Sequence, residues 1–288
     1  MASKMRYSGI QELKEFNLDD IHRTGTTLGH GAFGVVEELK MGGTLCAGKR
    51  LHAELLSVHN EKEGIQRLVK RFKEECRLMS KIHHPRIVRF LGLCFFDDSP
   101  YPMLVMEKFD LSLETVLETH KDIPFPLILH ILQDIAEGLI YLHSQRPPII
   151  HRDLTARNVL IDQRSFRATI SDLGNSRLCL ADRTKFTQNL TQAPGTLSYM
   201  SPEALECKPS YDGKLDVFSF GHLALFAVIQ EFPKVLEAPT YYEDGIIKGR
   251  SEVERRKKYI AKLIAKLTKD HVVTKMIFQC LHNLPEKR

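Results

Sequence analysis

The chain has few cysteines and no paired spacing among them: the six fall at positions 46, 76, 94, 179, 207 and 280. With no secretory leader at its start, this leads to an expectation of reduced thiols in a cytoplasmic setting rather than a disulfide framework. A clean membrane-length apolar run is also lacking. The longest apolar stretch, 215–232, is interrupted by Asp216, His222 and Gln230, so it reads as a buried core helix and no membrane span is expected. An excess of charge of one sign is lacking too. A net charge of +5 gives no concentrated footprint for nucleic acid, and the local cluster Lys248, Arg250, Arg255, Arg256, Lys257 and Lys258 reads as a solvated helix face. Thirteen histidines invite zinc, but none stands in a ligand pattern such as H-E-x-x-H, and His83-His84 precedes Pro85 in a turn. Repeats and low-complexity segments are absent. What remains is a globular chain whose 43% hydrophobic content over 288 residues suffices for one large core or two modest ones.

The densest chemistry lies in residues 151–174, HRDLTARNVLIDQRSFRATISDLG. Val159, Leu160 and Ile161 form a strand by pattern, 162–167 turn, and 168–171 return antiparallel. That hairpin carries Asp172 back beside Asn158. The result is a group of hard oxygens from Asp153, Asn158 and Asp172, suited to Mg²⁺ with one carboxylate left to orient a hydroxyl.

Upstream, Gly29, Gly31 and Gly34 make a G-x-G-x-x-G, which is weak by itself. A dinucleotide turn needs a helix directly after the glycines and an acid about 20 positions on. Here Val35-Val36 and the Gly42-Gly43 turn continue a hairpin, and the residue 20 after Gly29 is Lys49, a cation that fits phosphate. In 61–82, Ile65, Leu68, Val69, Phe72, Cys76 and Met79 repeat at helical spacing, with Glu75 on the same stripe. An acid on an apolar face needs a partner, so Lys49 and Glu75 read as an ion pair. Residues 86–96 and 103–109 read as two further strands, and 125–145 as a long helix burying Ile128, Ile131, Leu132, Ile135, Leu139 and Leu142.

His151-Arg152-Asp153-Leu154 with Asn158, then Asp172-Leu173-Gly174, taken with the glycine run, Lys49 and Glu75, resembles the motif set of the eukaryotic protein kinase catalytic domain. The resemblance spans about 21–288 and is nearest to the tyrosine-kinase-like and serine/threonine groups. It implies an α+β, two-lobed fold, with a tail at 1–20, a small antiparallel-sheet lobe with one helix at 21–107, and a hinge and mainly helical lobe at 108–288. It also implies ATP and Mg²⁺ as cofactors and a protein as substrate. By the same resemblance Asp153 orients the acceptor hydroxyl, Asn158 and Asp172 hold the metal, Arg157 neutralises charge on the transferring phosphate, and Lys49 with Glu75 completes the catalytic group. Leu28, Gly29, Gly31, Gly34, Val36, Ala47, Lys49, Met106, Glu107, Phe109 and Leu160 are then the nucleotide-binding positions, with Met106 at the back of the pocket and 107–109 the hinge. Leu173 and Phe218 stand where the family mostly has Phe and Trp. Arg288 is implied to pair with Glu203, and a further helix is implied beyond it.

Two features of the resemblance conflict on the acceptor. Thr155 and Arg157 in HRDLTARN follow the tyrosine-kinase pattern, whereas Gly195 to Met200 before Ser201-Pro202-Glu203 resembles the serine/threonine platform. The platform touches the acceptor directly, so serine/threonine is favoured, with tyrosine or dual specificity, and a non-catalytic nucleotide-binding scaffold, as alternatives. The long polar segment 175–200, with Thr184, Thr187 and Thr191, is expected to carry activating phosphorylation, by an upstream kinase or by autophosphorylation, read by Arg152.

Overall fold

The computed structural model describes residues 13–30, 34–51, 62–96, 101–178, 199–205, 212–230, 258, 260–267 and 271–288. The chain divides into two compact units, Met1–Phe109 and Asp110–Arg288.

The first unit is built on a six-stranded sheet of β1 (Glu15–Phe16), β2 (Ile21–His30), β3 (Gly34–Met41), β4 (Thr44–Leu51), β5 (Phe90–Cys94) and β6 (Met103–Glu107). Their spatial order is β1-β5-β6-β4-β3-β2. Every pairing is antiparallel except that of β1 with β5. Directly opposed residues share a face, and the register places Leu39 against Cys46, Val36 against Lys49, Ala47 against Met106 and Lys49 against Leu104. Because side chains alternate with period two, one face carries Ile21, Leu39, Cys46, Cys94, Met103 and Val105 as a buried cluster, and the other carries Val36, Ala47, Lys49, Leu104 and Met106. Gly48 is fixed by packing: a Cβ there would lie 2.3 Å from the Met103 sulfur and 2.5 Å from Leu39 Cδ1. Helix α1 (Lys62–Met79) buries Phe72, Glu75, Cys76 and Met79, the stripe its periodicity implies.

Residues 15–16, which fall within the tail expected at 1–20, form the sheet edge. Glu15 and Phe16 lie opposite Leu93 and Cys94, and Leu93 N–H donates to the Lys14 carbonyl at 2.8 Å. Gly92 makes this approach feasible, since a Cβ there would come within 2.7 Å of both the Lys14 carbonyl and the Phe16 ring.

The second unit is mainly helical. Its described elements include β7 (Leu111–Ser112), α2 (Leu113–Thr119), α3 (Phe125–Ser144), β8 (Ile149–Ile150), β9 (Val159–Ile161), β10 (Ala168–Ile170), β11 (Arg177–Leu178), α4 (Pro202–Leu205), α5 (Lys214–Ile229) and α6 (Val272–Cys280). Helix α3 is long and apolar enough to cross a membrane by length and composition. It buries Ile128, Ile131, Leu132, Ile135, Leu139 and Leu142 against β10, β8 and α5, which makes it a core helix. Helix α5 is buried almost all round, from Leu215 to Ala227, as a predominantly apolar helix inside a globular unit must be. Gly221 lets α6 close on it: a Cβ would stand 2.7 Å from that of Cys280.

The expected pair between Arg288 and Glu203 is present. Arg288 Nη2 donates to Glu203 Oε2 at 2.8 Å, and Nη1 donates to Oε1 and to the Lys214 carbonyl. Both residues are buried, and the guanidinium lies 4.7 Å from the Phe218 ring centroid. Removing one partner strands a buried charge, so Glu203→Ala is expected to destabilise the second unit by about 3–5 kcal/mol in urea unfolding. Joint replacement of Glu203 and Arg288 by apolar residues is expected to cost markedly less.

Candidate active site

Sequence dictates the site in the second unit through a short hairpin. Strands β9 and β10 pair antiparallel, Ile161 against Ala168 and Val159 against Ile170. The turn between them is tied by the Asp162 carboxylate, which accepts from Arg164 N–H, Ser165 N–H and the Ser165 hydroxyl at 2.8–3.0 Å. These bonds also hold the Asp162 carboxyl below the usual carboxylate range. At the open end, Ser171 N–H and Oγ both donate to the Asn158 carbonyl, at 2.8 and 3.0 Å. The hairpin therefore brings the backbone of Asn158 beside the residue that precedes Asp172.

The loop before it is equally constrained. Thr155 caps the 3-10 turn Ala156–Asn158, its hydroxyl accepting from Asn158 N–H at 3.3 Å. Asn158 Nδ2 donates to the Asp153 carbonyl at 2.8 Å and to its carboxylate Oδ2 at 3.3 Å. The amide hydrogens are thus committed to Asp153, which leaves Asn158 Oδ1 as the acceptor for a cation. Asp172 sits at φ +59° and accepts from Gly174 N–H at 3.3 Å. A left-handed aspartate costs of order 1–3 kcal/mol and is held only where its surroundings dictate it; here buried Leu173 follows directly.

A residue that sequence reading placed only within a core helix holds this loop in place. Asp216 of α5 is fully buried. Its Oδ2 accepts from His151 N–H at 2.9 Å and lies 2.8 Å from His143 Nε2, and its Oδ1 accepts from Arg152 N–H at 2.8 Å. Two successive backbone amides turned toward one carboxylate go with the positive φ of Arg152, +69°. His151, itself buried, pairs its Nε2 with the Ser171 carbonyl at 2.9 Å and accepts from Asp153 N–H at Nδ1. The signal was available in the sequence, since an acid inside an apolar helix is costly unless paired.

Arg157 is also engaged. Its Nε and Nη2 donate to Glu114 Oε2 and Oε1 at 3.0 and 3.3 Å, and this hydrogen-bonded carboxylate raises the guanidinium pKa. Tyr199 is buried against Phe226 and His222. Burial pushes its phenol up to about 12, against a lowering hydrogen bond from the Ala156 backbone. Leu160 lies on β9, half-buried.

In the first unit, Lys49 Nζ stands 2.7 Å from Glu75 Oε1, with both side chains largely buried, as the apolar stripe requires. Val36, Ala47, Lys49 and Met106 share a sheet face through the register given above. Gly29 lies opposite Val36 with open space where a Cβ would project, whereas a Cβ at Gly34 would fall 2.1 Å from the Arg50 carbonyl oxygen. The two glycines thus differ: Gly34 is demanded by the fold, and Gly29 is not. Leu28 is exposed on β2. Glu107 N–H donates to the Arg89 carbonyl at 3.0 Å, and Phe109 ends the unit. Gly31, Thr184, Thr187, Thr191 and the platform residues 195–198 lie outside the described residues.

Comparison with known proteins agrees with this geometry. The chain is 36% identical over 228 residues to calcium/calmodulin-regulated receptor-like kinase 1 of Arabidopsis thaliana, covering 77% of this chain and 47% of that protein. It is 34% identical over 222 residues to the probable serine/threonine-protein kinase drkB of Dictyostelium discoideum, covering 76% and 29%. It is 32% identical over 196 residues to the serine/threonine-protein kinase TNNI3K of Mus musculus, covering 67% and 22%. The chain therefore spans less than half the length of these relatives. The family model for protein tyrosine and serine/threonine kinases matches residues 22–288, nearly the whole sequence and both units, so the chain belongs to the protein kinase family.

Proposed function

We propose that this chain transfers the γ-phosphoryl group of ATP to serine or threonine hydroxyls of protein substrates. The observation that carries the reading is the tied group Asp153–Asn158–Ser171, with Asp172 following at positive φ. It supplies a carboxylate fixed by a neighbouring amide, a second carboxylate, and an amide oxygen left for a hard cation. Lys49, held by Glu75 in the first unit, supports the reading as a fixed ammonium of the kind that pairs with nucleotide phosphates.

The donor set fits Mg²⁺, which takes one or two protein carboxylates or amides and completes its shell with water and phosphate. Asn158 and Asp172 would hold it. Bound there, Mg²⁺ and ATP supply charge neutralisation and the transferable group. The chain's own residues do the rest. Asp153 orients the acceptor hydroxyl and takes its proton, and Asn158 keeps the Asp153 carboxylate in place. Asp216 fixes the backbone from which both project. Phosphoryl transfer is dominated by positioning and electrostatics, so rigidity of this loop is the chain's main contribution. On the first unit's sheet, Val36, Ala47 and Met106 offer an apolar face for adenine, and the open space at Gly29 admits a phosphate close to the backbone.

Serine/threonine specificity is supported by relatives named as serine/threonine-protein kinases. The protein substrate is part of the same proposal, as is activation at Thr184, Thr187 or Thr191. A reducing, cytoplasmic setting is supported by the free thiols of Cys46, Cys76, Cys94 and Cys280.

Radiolabelled ATP with Mg²⁺ and mixed peptides, followed by phosphoamino-acid analysis, tests the reading. Phosphoserine or phosphothreonine is expected, and phosphotyrosine alone would overturn the acceptor assignment. Asp153→Asn should lower kcat by about 10²–10⁴-fold; transfer unaffected by it would remove Asp153 from its role. Asp216→Asn replaces an acceptor with a donor facing backbone N–H groups. It is expected to lower kcat by roughly 10²-fold through misplacement of the loop, while nucleotide affinity measured by calorimetry stays within about threefold, a split smaller than about 1 kcal/mol in binding.

A further inference from the structure

The pair between Glu114 and Arg157 is more exposed than the others at the site, with the arginine side chain 68% and the glutamate 28% accessible. Exposed ion pairs contribute little to stability, so the fold does not depend on this one. Its geometry is nonetheless well defined. Arg157 uses its Nε–Nη2 edge for Glu114, a two-point arrangement that fixes the plane of the guanidinium. Nη1 takes no part in that pair and projects away from Glu114.

Glu114 stands on a rigid support. It lies in the first turn of α2, whose cap Ser112 accepts from Thr115 N–H at 3.1 Å. The residues just before it, Leu111 and Ser112, pair with Ile161 and Leu160 of β9. The carboxylate is thereby anchored to the same hairpin that carries Asn158. On the other side, Arg157 directly precedes Asn158 and interacts electrostatically with Asp153 and Tyr199 as well as Glu114. One frame therefore holds the acid, the arginine and the reacting loop.

We propose that Glu114 is a positioning residue for phosphoryl transfer: by its two-point pair with Arg157 it fixes that guanidinium beside Asp153 and makes it a directed donor to the transferring phosphoryl oxygens instead of a mobile cation. The inference rests on the kinase reading above and adds to it a residue outside the family's motif set.

Steady-state kinetics with ATP, Mg²⁺ and a peptide bearing a free acceptor hydroxyl test it, with thermal unfolding measured on every variant. Glu114→Gln removes the charge and keeps the shape. It should lower kcat about tenfold and leave the KM for ATP within about twofold, while Glu114→Asp falls between it and wild type. Glu114→Gln combined with Arg157→Ala should be no slower than Arg157→Ala alone, because two groups acting as one unit are not additive. The reversed pair, Glu114→Arg with Arg157→Glu, separates positioning from structure. It restores the ion pair, with the melting temperature expected to stay near that of wild type in every variant, but places an anion beside Asp153, so kcat should stay at or below that of Arg157→Ala. Recovery of kcat by the reversed pair, or an unchanged kcat in Glu114→Gln, overturns the inference and leaves the kinase reading intact. A wild-type protein with no transfer dependent on Asp153 overturns both.

Discussion

A buried carboxylate is among the costliest groups a helix can carry, and the second unit places one, Asp216, in the first turn of its most apolar helix. The cost is offset because both oxygens are used, by two consecutive loop amides and by His143. The arrangement works in both directions. Without the loop, Asp216 would keep only His143 as a partner, and without Asp216 two loop amides would lose their acceptor. Everything that projects from 151–158 inherits its direction from this one acceptor. His151 carries the constraint onward to the Ser171 carbonyl, so the two segments bearing Asp153 and Asp172 are fixed to each other from below by α5 and from the side by β9 and β10.

In the first unit the corresponding constraint is register. With a side-chain period of two, a slip of one residue in β4 would send Lys49 into the cluster of Leu39, Met103 and Val105 and turn Cys46 outward. Two glycines resist that slip by sterics. A Cβ at Gly48 would press on the side-chain ends of Met103 and Leu39, and a Cβ at Gly34 would fall on the Arg50 carbonyl oxygen, which as backbone cannot give way. Glu75 adds an electrostatic lock from α1. The ammonium it holds is largely removed from water, where an interaction between opposite charges is several times stronger than at the surface. Burial has a different effect on the adjacent thiol: Cys76 is pushed far above its usual pKa by desolvation and by Glu75, which makes it an inert packing group.

Much of this was legible in the chain because it follows from local spacing plus one rule about charge. The β9–β10 hairpin needed only a strand, a polar turn and a strand. The Lys49–Glu75 and Arg288–Glu203 pairs connect distant positions. The first followed from an acid on an apolar stripe, and the second from the family resemblance. The same rule applied to Asp216 identifies it as paired, but its partners are backbone amides about 65 residues away, and no side-chain pattern marks which amides those are. The pairing of β1 with β5 was hidden for a similar reason. Two residues carry no periodicity, and the space that admits them is made by a glycine on the other strand. Glu114 was invisible because its partner, Arg157, already had a role by analogy.

That last case bears on the charge of the site. Taken from the sequence alone, Arg157 is a cation four residues from Asp153, and a positive charge near a carboxylate attracts it. Such a cation would compete with a metal for the loop's negative charge. Sharing Arg157 with Glu114 changes the balance: the pair is neutral as a whole, so the arginine offsets less of the negative charge that Asp153 and Asp172 bring to the loop and hairpin. A face with two carboxylates and a committed amide favours a hard divalent cation, and a half-neutralised arginine at its margin can donate to an incoming phosphoryl oxygen without displacing that cation. The electrostatics of the site thus depend on α2 as much as on the motif residues themselves.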